Sequence, residues 1–133
     1  MRVLIIGCGR VGSRLAIEMS DAGHEVTIID WKADSFSRLG EGFQGNAIVG
    51  NGIDEDMLKR AGIEKADAFA AVTNGDNRNI MAAQIAQRLF KVPHVVCRIY
   101  DPIRNDVYSE LGLKTLCPTT TGATALRKMI LED

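Results

Sequence analysis

Gly7-Cys8-Gly9-Arg10-Val11-Gly12 stands directly after the apolar run Val3-Leu4-Ile5-Ile6 and opens a segment in which Val11, Leu15 and Met19 recur at four-residue spacing. A Gly-x-Gly-x-x-Gly at a strand-to-helix junction leaves few folds open. Gly7 permits the tight turn out of the strand. Gly9 has no Cβ, so a pyrophosphate can approach the backbone, and Gly12 lets the helix pack close to the sheet. The helix N-terminus adds free N–H donors and the positive end of a dipole. The next β-branched run, Val26 to Ile29, ends in Asp30, about twenty residues on, where the dinucleotide fingerprint expects a ribose-binding acid. A glycine turn used only for packing would not need these three features in this order.

A carboxylate at Asp30 accepts hydrogen bonds from ribose hydroxyls and repels a 2′-phosphate. NAD or another adenosine nucleotide is therefore expected over NADP. Lys32, two residues on, reads as a solvated surface lysine.

The rest of the chain keeps one rhythm. Strands are expected at Val3–Ile6, Val26–Ile29, Ala47–Val49, Ala68–Thr73, His94–Ile99 and Lys114–Cys117. Helical patterns fill the intervals: Val11–Ala22, a weaker one at Asp34–Leu39, Asp54–Ala61, Asn77–Phe90, Ile103–Leu111 and Thr119–Leu131. In the long fourth pattern Ile80, Ala83, Ile85 and Leu89 are the expected inward positions. Asp54 reads as an N-cap and Gly62 as a stop. Alternating strands and helices imply a parallel sheet covered on both faces. The expected fold is α/β, a Rossmann-type doubly wound sheet of about six strands in the order 3-2-1-4-5-6, built as one domain over residues 1–133.

Composition narrows the function. With a formal net charge of −1 and scattered basic residues, nothing attracts nucleic acid in bulk. The N-terminal apolar run is too short for a signal-peptide core, and nothing approaches the ~20 apolar residues of a membrane helix. A cytoplasmic location without direct membrane insertion is expected. Cys8, Cys97 and Cys117 lie far apart and away from His24 and His94, so no metal site is expected and the cysteines read as reduced, buried thiols.

The segments Gly7–Leu15, His24–Asp30, Gly50–Asp54, Ala61-Gly62-Ile63, Ala66-Asp67-Ala68, Val72-Thr73, Asp76, Asn79, Val92-Pro93, Arg98 and Leu111-Gly112 resemble the nucleotide-binding N-domain of TrkA-type potassium-uptake regulators, the RCK or KTN domain. The resemblance covers nearly the whole chain. It implies that Gly7, Cys8, Gly9, Arg10, Val11 and Gly12 hold phosphates and that Asp30, followed by Trp31, holds the adenosine ribose. Gly50 and Asn51 would lie by the adenine. Thr73, Asn74 and Gly75 would line the far side of the cleft, and Arg98 would stand near the phosphates. Plainer roles compete: Thr73 as a strand end, Asn74-Gly75 as a turn, Arg98 as the partner of Asp101 or another acid. Two positions depart from the family: Asn51 replaces a usual aspartate, which keeps hydrogen bonding to the adenine but removes charge-dependent recognition, and Asn77 replaces a usual glutamate, which weakens any inference of a metal beside the phosphates. Many members continue into a second, C-terminal ligand-binding domain, which this chain is expected to lack.

The resemblance implies a regulatory subunit rather than an enzyme. It would bind NAD (or NADH, ATP, ADP or AMP) and gate a potassium-transporter membrane subunit, held at the inner face of the cell membrane by that partner. The alternatives are the cofactor domain of an NAD-dependent oxidoreductase and, third, a methyltransferase. Against hydride transfer, neither Tyr100 nor Tyr108 is followed by lysine four residues on, and His24 and His94 fall at strand starts, away from the carboxyl ends where ligands bind. Arg10 opposes the dipole of its own helix, so it is expected to meet a phosphate in its own or a neighbouring subunit. Ala123, Leu126, Met129 and Ile130 form one apolar stripe on the last helix, suited to its own sheet or to a homodimer within a larger ring.

Overall fold

The computed structural model describes residues 1–132. Six strands form one sheet: β1 (Arg2–Ile6), β2 (Glu25–Asp30), β3 (Asn46–Val49), β4 (Ala68–Ala71), β5 (His94–Arg98) and β6 (Lys114–Leu116). All neighbours pair in parallel, in the order β3-β2-β1-β4-β5-β6. The helices are α1 (Arg10–Asp21), α2 (Glu55–Arg60), α3 (Asp76–Gln84), α4 (Pro102–Glu110) and α5 (Pro118–Leu131), with a 3-10 turn at Ala33–Leu39 where the weaker helical pattern lies.

Runs of Val, Ile and Leu suit strands covered on both faces. Leu4, Ile6, Ile29, Phe69 and Ala71 face one way and join Leu58 of α2 and Ile80, Ala82 and Ala83 of α3. Val3, Ile5, Val26, Ile28 and Ala70 face the other way and join Ala16 of α1 and Leu39. Each fully buried large side chain contributes roughly 1.5–3 kcal/mol, so β1 and β2 anchor the fold from its centre. Local signals start the helices. Asp54 accepts from the Asp56 N–H at 3.0 Å to cap α2, and Asp101 accepts from the Arg104 N–H at 3.2 Å to cap α4, where Pro102 opens the helix.

Three elements differ from expectation for identifiable reasons. The strand expected at Ala68–Thr73 ends at Ala71, because the Thr73 N–H is taken by the Asn79 side chain at 2.8 Å. The helix expected at Asn77–Phe90 turns into a π-helical segment over Ile85–Leu89, where the Phe90 N–H reaches the Ile85 carbonyl at 3.2 Å. The wider turn rotates the residues beyond it: Leu89 is 54% exposed and Ala86 takes the buried position. In α1 the buried face runs through Gly12, Ser13 and Ala16, while Val11 is exposed and Leu15 and Met19 are half-buried. Only small residues fit where this helix approaches the sheet, so the four-residue apolar pattern marks its flank.

One part of the sheet is bare. By register, Val96 of β5 and Leu116 of β6 share the face of Ala70. They are 39% and 54% exposed. Nor does α5 cover them by burying itself: it has no buried residue. Among the described residues no helix is long and apolar enough to cross a membrane.

Candidate functional site

A cleft of about 720 Å³ opens at the carboxyl ends of the strands, where the strand order reverses between β1 and β4 and leaves room for a ligand. It gathers Gly7, Gly9, Arg10 and Val11 from the glycine loop and Asp30 and Trp31 from the end of β2. It also takes Gly50 and Asn51 from the loop after β3, Thr73 and Asn74 from the loop after β4, and Arg98 from the end of β5. Of the other expected positions, Cys8 and Gly12 are buried and Gly75 is the N-cap of α3.

The loop geometry follows from its glycines. Gly7 has φ +105°, a conformation other residues rarely adopt, and a Cβ there would lie 2.8 Å from the Thr73 nitrogen and the Val72 oxygen. At Gly9 the backbone is extended (φ −83°) and a Cβ would meet nothing within 4 Å, so the space above it is open. Gly9 caps α1 without a side chain and no acid stands in the first turn. The first N–H groups of α1 therefore face the cleft uncompensated.

Asp30 joins the loop to β2. Its Oδ2 accepts from the Cys8 N–H at 2.8 Å and its Oδ1 from the Lys32 N–H at 2.9 Å. A carboxylate has lone pairs beyond these two for hydroxyl donors. The Cys8 side chain turns inward, and burial, reinforced by the Asp30 charge, pushes its thiol up to about 11. Cys8, Cys97 and Cys117 are all free and buried.

Across the cleft, Arg98 is 8% exposed and takes part in no ion pair among the described residues. Its Nη2 donates to the Val72 and Thr73 carbonyls, each at 2.9 Å, and its guanidinium lies 4.7 Å from the Tyr100 ring centre. The pairing with Asp101 is not made; Asp101 faces Arg104 at 3.9 Å. Buried Asn79 fixes this wall. Its Oδ1 accepts from the Thr73 N–H and hydroxyl, and its Nδ2 donates to the Thr73 and Arg98 carbonyls. Asp76 ties the wall to α4 by accepting from the Tyr100 and Asp101 N–H groups at 2.8 and 3.0 Å.

Sequence reasoning missed Arg78, Tyr100, Gly52 and Ile53, all of which line the cleft. Lys32, expected in solvent, is exposed and stands in the same lining. The usable signal was position: Arg78 lies in the first turn of the helix after β4, as Arg10 does after β1. Arg10, Lys32, Arg78 and Arg98 are cations in the lining and Asp30 is its carboxylate, so the cleft is positive although the chain is not. His24 sits at the opposite end of the sheet, with Nδ1 2.9 Å from the N-terminal amine, and His94 begins β5. Among the described residues no cluster of three His, Cys, Asp or Glu side chains could hold a metal ion.

The TrkA-N domain family model matches residues 3–118. The Trk system potassium uptake protein TrkA of Streptomyces coelicolor is 47% identical over 133 residues, all of this chain and 60% of that protein. The chain thus spans less than two thirds of this relative. Among solved structures, the Kef CTD of Shewanella denitrificans in AMP bound form superposes with a TM-score of 0.83 at 20% identity, covering 100% of this chain and 83% of that one. GsuK bound to ADP superposes with a TM-score of 0.82 at 21% identity, covering 98% of this chain and 34% of that one.

Proposed function

The chain belongs to the TrkA-N domain family, and from that membership we propose that it is a regulatory module of a potassium uptake system rather than an enzyme. It binds NAD or another adenine nucleotide (NADH, ATP, ADP or AMP) at the cytoplasmic face of the membrane and gates a transporter subunit there. The observation that carries the reading is the junction of β1 and α1. An uncapped helix N-terminus, open space above Gly9 and the Asp30 carboxylate meet in one cleft. They supply what phosphate and ribose require, in the order in which a nucleotide presents them. Gating further requires that the nucleotide bind one arrangement of the module better than another.

In this reading Gly7, Cys8, Gly9, Arg10, Val11 and Gly12 form or support the phosphate cradle. Asp30 and Trp31 take the ribose side, Gly50 and Asn51 the base, and Thr73, Asn74, Gly75 and Arg98 the far wall. Asp30→Ala is expected to weaken NAD binding by about 1–3 kcal/mol, the scale of hydrogen bonds to a charged group. Isothermal titration of a folded variant measures it, and unchanged affinity would remove the ribose assignment.

The module is further proposed to act as a homodimer, alone or within a larger ring. Leu126, Met129 and Ile130 of α5 are 61%, 67% and 79% exposed, close to the bare face of β5 and β6 in chain order, and apolar surface of this kind marks an interface. Leu126→Asp with Met129→Lys should then yield a folded monomer that still binds nucleotide. Light scattering decides: a wild-type monomer at micromolar concentration, with and without NAD, rules the dimer out.

A further inference from the structure

Every polar group of Cys8, the residue after Gly7 in the glycine loop, is held by a neighbour. Its N–H donates to Asp30 Oδ2 at 2.8 Å, its thiol to the Ser35 carbonyl at 3.4 Å, and its carbonyl oxygen accepts from Arg38 Nη1 at 3.4 Å. Ser35 and Arg38 belong to the 3-10 turn Ala33–Leu39, which buried Leu39 pins to the same core cluster as Cys8. Arg38 makes no ion pair among the described residues. It is not part of the cleft lining, whereas Gly9 is. The carbonyl of Cys8 and the N–H of Gly9 are the two ends of one trans peptide, so they point in opposite directions. No acceptor among the described residues takes the Gly9 N–H. Turning this peptide over by about 180° would carry the Gly9 φ from −83° into the positive range, which glycine tolerates. The turned form would aim a carbonyl oxygen where an anion should bind.

We infer that Arg38 is a positioning residue for phosphate recognition: from outside the cleft it holds the Cys8–Gly9 peptide in the orientation whose N–H serves a phosphate. The inference rests on the nucleotide reading above. Arg38 touches no part of the nucleotide; it acts by disfavouring the other peptide orientation. Its charge strengthens the hydrogen bond to the Cys8 carbonyl over a neutral one. Apparent affinity for a phosphorylated ligand scales with the fraction of molecules in the competent orientation. A ligand without phosphate gains nothing from that orientation. The effect is therefore specific to the phosphate and not to the nucleoside.

Titration calorimetry of the whole chain with ADP and with adenosine, together with the Gly9 amide resonance in proton–nitrogen correlation spectra, tests this. Arg38→Met keeps the side-chain stem and removes the charge and the donors. It should lower ADP affinity about fivefold, the scale of one net hydrogen bond, and adenosine affinity by less than about twofold. In the ligand-free variant the Gly9 amide resonance should move, while that of Ala16, on the buried face of α1, stays in place. Arg38→Lys restores a donor and a charge and should recover most of the ADP affinity. ADP and adenosine affinities that fall in parallel overturn the inference, as does an unchanged ADP affinity. A selective ADP loss that disappears at high salt, with the Gly9 resonance unmoved, also overturns it, because the long-range field of Arg38 then accounts for the loss. Where adenosine binds too weakly to titrate, the Gly9 resonance and the recovery in Arg38→Lys decide. If the wild type binds neither ligand, the nucleotide reading itself fails, and the Gly9 resonance alone decides whether Arg38 holds the peptide.

Discussion

Gly9→Val is expected to leave the domain folded and to remove nucleotide binding. The backbone at Gly9 is extended, with φ −83°, and a Cβ there meets nothing within 4 Å, so valine fits the chain as it stands. Its role as N-cap uses the backbone alone: the Gly9 carbonyl accepts from the Ser13 N–H at 2.9 Å. What the branched side chain occupies is the space through which a phosphate must approach the first turn of α1. Hydrogen bonds to a charged group are worth about 1.5–3 kcal/mol each, and displacing a phosphate from two of them weakens binding by roughly 3–6 kcal/mol, a factor of more than about 100. Thermal melting followed by circular dichroism should match the wild type, while calorimetry with NAD or ADP detects no binding. A variant that binds either nucleotide normally would place the phosphate loop elsewhere in the molecule.

Gly12→Ala, three residues on, should have the opposite outcome: it puts a methyl group in place of a hydrogen and should cost the fold rather than the ligand. A Cβ at Gly12 would overlap the Gly7 carbonyl oxygen and lie 2.9 Å from the Gly7 carbonyl carbon and 3.2 Å from Val72 Cγ2. The first two are backbone atoms of the strained turn and cannot rotate away. Alanine gains about 1 kcal/mol of helix propensity over glycine, but overpacking a rigid contact costs about 1–3 kcal/mol and more when backbone must move. The clash therefore wins, by about 2 kcal/mol or more, out of a total stability on the order of 5–15 kcal/mol. Urea denaturation should show a lower midpoint with an unchanged slope. A midpoint at or above that of the wild type would mean that α1 is not pressed against the loop as described.

The contrast between these two glycines also indicates how far the sequence could be read. The fingerprint spacing located both. The alternation of short β-branched runs with helical patterns was enough for the six strands, and analogy with the doubly wound dinucleotide fold supplied their order. The site was legible wherever it depended on chain order: Asp30 ends its strand as the spacing requires, and the loops after β3 and β4 reach the cleft because all parallel strands end on one side. It was not legible where it depended on a side chain's reach. Arg78 lines the cleft from the first turn of α3, and that position carries no motif. Leu89 was misplaced because a single π turn shifts the phase of a helix, and nothing in the run Ile85-Ala86-Gln87-Arg88-Leu89 announces it. Arg98 was singled out through the family resemblance, but its lack of an acidic partner emerged only once Asp76 and Asp101 were seen to be satisfied by backbone N–H groups and Arg104.

In the proposed homodimer, cover over the bare face of β5 and β6 would make the stability of this domain a shared quantity. Val96 and Leu116 keep apolar surface in water that a doubly wound sheet would ordinarily bury under its own helix. Whatever covers that surface recognises only the folded chain, because register and strand pairing create it. Binding there adds RT ln(1 + [L]/Kd) to the free energy of unfolding. The resistance of the fold to heat, denaturant and proteolysis is then set by its surroundings as well as by its own core. If the proposed assembly uses this face, a substitution at Val96 or Leu116 that leaves the isolated chain untouched should lower the stability of the assembled form.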